Sequence, residues 1–267
     1  MMNIMRADMY RIWRGKAIYI TFAVLLAFVV LNSNAVAGSF GVHLGQGEIT
    51  ESRGFDIPEV VSTGANVASS LYPVMENLVY FLLAIIIAVA GAAFTHGTIK
   101  NDIAWGISRV KLYMSRLLLS SIICAVLMLF YMVTGILIET VVNGWGGPVA
   151  DGFWVTMAKT LSLQFLMLLA MNSAGIFLVF ATKRTAIVNV SFLAFYLGPP
   201  MLIMMLTNIN PDFSRLFDFT ILVNLSILGH LDQLSTREII TAIGTGSFFV
   251  IVPALAGIAL FRKAEIK

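Results

Sequence analysis

Six runs of the chain carry no Asp, Glu, Lys or Arg: residues 17–47, 77–99, 117–138, 160–182, 185–211 and 239–261. Each is long enough to cross a bilayer, whose hydrocarbon core takes about 20 apolar residues as a helix. No other feature restricts the fold as strongly. In lipid every backbone polar group must be satisfied within its own segment, so such runs are helices. A water-soluble fold would need a polar surface, and only 12% of these residues are charged, against roughly 25% in a soluble domain. The expectation is an all-α polytopic membrane protein, a single transmembrane domain over 1–267. Its six transmembrane helices are expected at about 17–36, 74–94, 112–138, 154–181, 186–206 and 239–261.

The sign of the charges orients it. With six spans and a cytoplasmic N-terminus, the inner segments hold Arg6, Arg11, Arg14, Lys16, Lys100, Arg109, Lys111, Arg116, Lys183, Arg184, Arg262, Lys263 and Lys267. These are thirteen of the seventeen basic residues, against three acids, Asp8, Asp102 and Glu265. That asymmetry is what the positive-inside rule expects, with both termini cytoplasmic. Basic residues beside a bilayer meet anionic headgroups, so the net charge of +3 is no sign of nucleic acid.

Ahead of the first span, residues 3–15 read as an interfacial amphipathic helix. On a helical wheel Ile4, Met5, Met9, Ile12 and Trp13 share one half and Arg6, Arg11 and Arg14 the other, with Asp8 on the wrong side. Ala35-Val36-Ala37 before Gly38 has the look of a signal cleavage site, but the basic lead and the apolar run are both long for one. Residues 38–73 and 207–238 are expected as extracellular or re-entrant segments, with 217–228 a helix too short to cross. Glu76 and Glu139 stand at the outer ends of spans two and three, where carboxylates ordinarily reach headgroup water. Pro199-Pro200 remove two amide donors and should kink or break span five. Asn172 and Asn189 flank one tight turn and are expected to pair as interhelical glue.

Catalytic signatures are missing. There is no phosphate-binding glycine loop, dinucleotide fingerprint, zinc-protease motif or nucleophile elbow. His43, His96 and His230 fall on different sides of the membrane and cannot share a metal. No paired carboxylates lie within the spans, which argues against carboxyl-dyad proteolysis and proton-coupled carriage. The lone cysteine, Cys124, reads as a small buried hydrophobe.

What remains is residues 94–116, FTHGTIKNDIAWGISRVKLYMSR, a basic interruption between two spans. Gly97 ends one helix, Thr98 caps a short one over 99–105, and Asp102 lies early in it, as the helix dipole prefers. Gly106 suits the helix end and Ser108 caps the next helix. The short helix presents Ile99, Ile103 and Trp105 beside Lys100 and Asn101, a knob apolar enough to dock on a partner. On residues alone, a plain polar loop is as good a reading.

This string resembles the inner loop of type-2 ABC transporter permeases at Phe94, Gly97, Thr98, Ile99, Lys100, Asn101, Gly106, Ser108, Arg109, Tyr113 and Arg116. The ending FRKAEIK resembles the family's Phe-basic-basic-Asp-Ile-Lys tail, with Glu265 where Asp is usual and Ala264 intervening. The resemblance implies that 98–105 is a cytoplasmic coupling helix seated in a cleft of a separate ATPase. The implied ATPase-coupling residues are Thr98, Ile99, Lys100, Asn101, Asp102, Ile103, Trp105 and Arg109. It further implies an ABC ATPase dimer and an identical or sister permease as partners in a bacterial cell membrane. There is then no catalysis, cofactor or metal on this chain, ATP and Mg belonging to the ATPase. Cargo would be an amphipathic or hydrophobic molecule: an antimicrobial peptide, toxin or drug. A non-transporting immunity or sensor module, binding a peptide or a partner protein, is the rival reading.

Overall fold

The computed structural model describes residues 2–32, 63–64, 67, 71–95, 97–148 and 151–263. The chain is all-α: among the described residues there is no strand. Helix α1 spans Met2–Arg14 and α2 Lys16–Asn32, bent by 63° at Gly15. Helix α3 covers Val74–Thr95 and changes character along its length. It opens as a 3₁₀ turn at Pro73–Asn77, continues as α-helix over Leu78–Ile86, widens to a π turn at Ile87–Gly91, and closes with Ala92–Thr95. Then come α4 (Thr98–Ala104), α5 (Arg109–Asn143), α6 (Phe153–Thr182), α7 (Thr185–Thr207), α8 (Ile221–Ile227) and α9 (Thr236–Lys263). The five helices α3, α5, α6, α7 and α9 are each long and apolar enough to span a bilayer, and α1 with α2 makes a sixth if the bent pair is one span.

Local chemistry sets the ends. Ser108 accepts from the Lys111 amide and starts α5. Ser235 and Glu238 cap each other reciprocally at the start of α9, at 2.8 Å and 3.3 Å. α6 lies at the centre. α9 packs closely along it because Gly246 leaves room for Leu166 and Met167, and the Ser173 hydroxyl donates to the Val250 carbonyl at 2.7 Å. α5 joins from the other side, where the Asn172 amide donates to Ser121 Oγ at 3.0 Å. Gly175 admits Ile86 of α3 and Phe192 of α7. Phe180 ends this core with edge-on contacts to Phe94, Tyr113 and Phe261, at 4.7–5.2 Å between ring centres. Four helices are thus pinned together at the end of the bundle that carries α1, α4 and the close of α9, here termed the basic end.

Some expectations change. Most of the 38–73 segment, with His43, lies outside the described residues, as do His96, the last residues of the expected first span and the tail 264–267. α7 is continuous through Pro199 and Pro200 rather than broken; a proline forfeits its own amide donor, and two adjacent ones leave the rest of the ladder in place. Asn172 bonds Ser121 instead of Asn189, which faces outward on α7. Glu139 does not reach surface water: it is 1% exposed, on the stripe of α5 that faces the other helices.

Candidate functional site

The turn from α3 into α4 is made by Gly97, at φ +66°, a conformation that costs a side-chain-bearing residue about 1–2 kcal/mol. Gly97, not Thr98, occupies the cap position of α4. Thr98 lies one residue inside the helix, where its hydroxyl donates to the Ala93 carbonyl at 3.3 Å and accepts from Arg11 Nη1 at 3.4 Å. The far end of α4 closes as a Schellman turn. The Gly106 amide reaches the Ile103 carbonyl at 2.9 Å and the Ile107 amide reaches that of Asp102 at 3.2 Å, with Gly106 at φ +78°.

α4 is amphipathic, and its apolar side points inward. Ile99 is buried at 3% exposure and Ile103 packs against the core, as residues four apart on one helix face do. Both isoleucines therefore hold α4 in place instead of projecting from it. Lys100, Asn101 and Trp105 face outward, Trp105 at 86% exposure. Arg109 lies elsewhere, with its guanidinium on the last carbonyls of α9, Phe261 O at 3.3 Å and Arg262 O at 3.1 Å. A cation there suits the negative end of a helix dipole.

Asp102 is half-buried and points back into the bundle, toward Arg116. Arg116 is 1% exposed and makes three distinct contacts. Its Nε pairs with Asp8 Oδ2 of α1 at 3.0 Å, its Nη2 with Asp102 Oδ2 of α4 at 3.6 Å, and its Nη1 donates to the Val89 carbonyl at 2.7 Å. Val89 lies in the π turn of α3, where the i→i−4 ladder is displaced. Arg11 closes the group from the outside, pairing with Asp8 Oδ1 at 3.3 Å. Burial pushes the Asp8 carboxyl above the usual carboxylate range, and Arg116 and then Arg11 pull it back. One guanidinium thus ties α1, the short helix α4 and the π turn of α3 to α5.

Asp8 and Arg116 are absent from the residues that sequence reasoning marked for the site. Each left a trace: Asp8 as the acid on the wrong half of its wheel, and Arg116 as the basic residue that closes the 94–116 string carrying the resemblance, just before the charge-free run 117–138. Asp8 shares its face with Ile4 and Ile12, four residues to either side, and that face is turned to the bundle. Among the described residues no three His, Cys, Asp or Glu side chains gather where a metal ion could sit. No protein-family model matches the chain, and no curated protein matches it.

Proposed function

We propose that the chain is the permease subunit of an ATP-driven exporter of the type-2 ABC kind, with α4 as its coupling helix. The observation that carries this reading is the mounting of α4. A seven-residue helix at the basic end offers a tryptophan, a lysine and an asparagine outward. Its inner side is fastened through Asp102 to a buried arginine that also holds two other helices. A push on the exposed face is passed to Arg116, then to the π turn of α3 and to α1, because a packed interior transmits displacement rather than absorbing it. That is the mechanical need of a subunit driven by an engine outside the membrane. On this reading the basic end faces the cytoplasm, in keeping with its excess of Lys and Arg. The outward apolar faces of α7 and α9 meet lipid or a second permease. The cargo is an amphipathic or hydrophobic molecule such as an antimicrobial peptide, and the setting a bacterial cell membrane.

The test is co-purification with an ABC ATPase from the same cell. Lys100→Glu combined with Trp105→Ala should weaken ATPase association at least about tenfold, as loss of interface anchors does, and abolish cargo-stimulated ATP hydrolysis. The thermal unfolding midpoint should stay unchanged, since both residues are exposed. Unchanged association and hydrolysis would sink the coupling role. Protection of cells that persists when the ATPase lacks its catalytic glutamate would favour a peptide-sequestering immunity module instead.

A further inference from the structure

Helix α1 carries two opposite stripes. Ile4, Asp8 and Ile12 recur every fourth residue and are turned to the bundle, with Ile12 buried and Ile4 packed against the core. Arg6, Tyr10 and Arg14 recur at the same spacing and start two residues later, about 200° around the axis. This second stripe is exposed, Tyr10 at 59%, with Trp13 beside it at 63%. The apolar half of the wheel is therefore divided. Its isoleucines go to the bundle, while Met9 and Trp13 stay outside with the cations.

Charge is sorted in the same way. Among the described residues the acids of the basic end are Asp8 and Asp102, and both turn inward to Arg116. Arg6, Arg14 and Lys16 are exposed, and no carboxylate of the described residues forms an ion pair with them. Negative charge is enclosed here and positive charge displayed. The Arg14 guanidinium lies 4.8 Å from the centre of the Tyr10 ring. Stacked on a ring face, a guanidinium keeps its N–H edge open to an oxyanion, which it takes two oxygens at a time. Lys16 adds a point charge at the head of α2, just past the 63° bend that turns α1 off the axis of that helix. Beyond Lys16, α2 is free of charge, as a helix entering lipid must be.

The partner of this face must bring negative charge together with an apolar layer that accepts two aromatic rings. The headgroup region of a bilayer has both: phosphate at the surface, and beneath it the depth at which Tyr and Trp rings settle. An acidic peptide in water has the charge without the layer. We propose that the outward face of α1, with Arg6, Tyr10, Trp13, Arg14 and Lys16, binds anionic phospholipid. Each basic residue held at an anionic leaflet raises affinity about fivefold, so the face selects lipid by headgroup charge. This binding does not rest on the transport reading, because neither an ATPase nor a cargo takes part.

The experiment uses Trp13 as its reporter, in the full-length chain with Trp105, Trp145 and Trp154 replaced by Phe. Nanodiscs hold phosphatidylcholine with a minor share of phosphatidylglycerol, and bromine is carried on the acyl chains of either the phosphatidylglycerol or an equal amount of the phosphatidylcholine. Brominated phosphatidylglycerol is expected to quench Trp13 at least about fivefold more effectively, and the preference should shrink at high salt, which screens exposed charges. Combining Arg6→Gln, Arg14→Gln and Lys16→Gln should bring the ratio close to one. The unfolding midpoint should not change, since all three residues are exposed. Equal quenching by the two lipids in the parent chain would overturn the proposal, as would an unaltered ratio in the triple variant. Quenching by neither lipid would put the face against protein or water and overturn it as well. Loss of the preference on adding inorganic phosphate, but not chloride at equal ionic strength, would make this a free-anion site instead. The parent ratio and its salt dependence keep the test decisive if the triple variant does not fold. Lipid preference with no ATPase association, or the reverse, tells the failure of one reading from that of the other.

Discussion

Arg116 shows how much one residue can be asked to do in a membrane bundle. A buried ion pair is weak evidence for stability, because desolvation offsets attraction; removing one partner is another matter, since it strands the other. Arg116→Met should therefore lower stability by about 3–5 kcal/mol, read as a drop in the thermal unfolding midpoint in detergent. Adding Asp8→Asn should recover a large part of that loss, because the stranded charge goes with it. Recovery by Asp102→Asn should be smaller, within about 1 kcal/mol, since Asp102 is partly exposed and screened. Equal and additive losses for all three substitutions would mean that the contacts are independent and that no cluster exists. Arg116→Lys is no conservative control, for a lysine cannot serve two carboxylates and a carbonyl with one planar fork.

At the scale of elements, the π turn of α3 is the joint. It holds the carbonyl that Arg116 grips, and its Gly91 allows Thr185 of α7 to come close. Deleting Ala88 should restore plain α-helix, because the π turn carries one residue more than an α-turn, and the helix after it should keep its facing. Phe94 would then stay at the edge of Phe180, while the Val89 carbonyl would be drawn back into the helix ladder and away from Arg116. The expected result is a loss of stability that is strongly non-additive with Arg116→Met, measured as a double-mutant cycle. Simple additivity would show that the turn and the arginine do not act together. α4 teaches a related lesson. Its length, its glycine breaks and the Ser108 cap of its successor follow from local residue chemistry. The direction its isoleucines face does not, because a helix of two turns with apolar and polar sides can dock by either side.

For the whole molecule, the layout predicts which residues share a side of the membrane. In a Cys124→Ser background, single cysteines at Lys100, Arg184 and Lys263 should behave alike toward a membrane-impermeant maleimide. Cysteines at Trp145 and Asp212 should show the opposite behaviour. With the basic end in the cytoplasm, the first group is protected in intact cells and labels only after permeabilisation. Labelling of all five from one side would contradict the alternation of spans.

Much of this architecture can be read from the chain alone, and the reason is local. Runs free of charge announce helices that cross a bilayer, since a charge in lipid is costly and a backbone without internal bonds is costlier. The helices lie where those runs lie: 74–95, 109–143, 153–182, 185–207 and 236–263. Caps such as Ser108 and breaks such as Gly97 act within four residues, inside the window a reader of sequence inspects. Pairings across the fold lie outside that window. Asp8 and Arg116 are 108 residues apart, and each looks ordinary until α1 folds back against α5. The burial of Glu139, which composition places at a wet helix end, likewise depends on which stripe of α5 faces inward. Sequence by itself determined where the five long apolar helices lie, to within a few residues at their ends, because lipid and backbone impose those terms locally. Only the tertiary structure decided which charges are enclosed and by what, because enclosure is a property of neighbours brought from elsewhere in the chain.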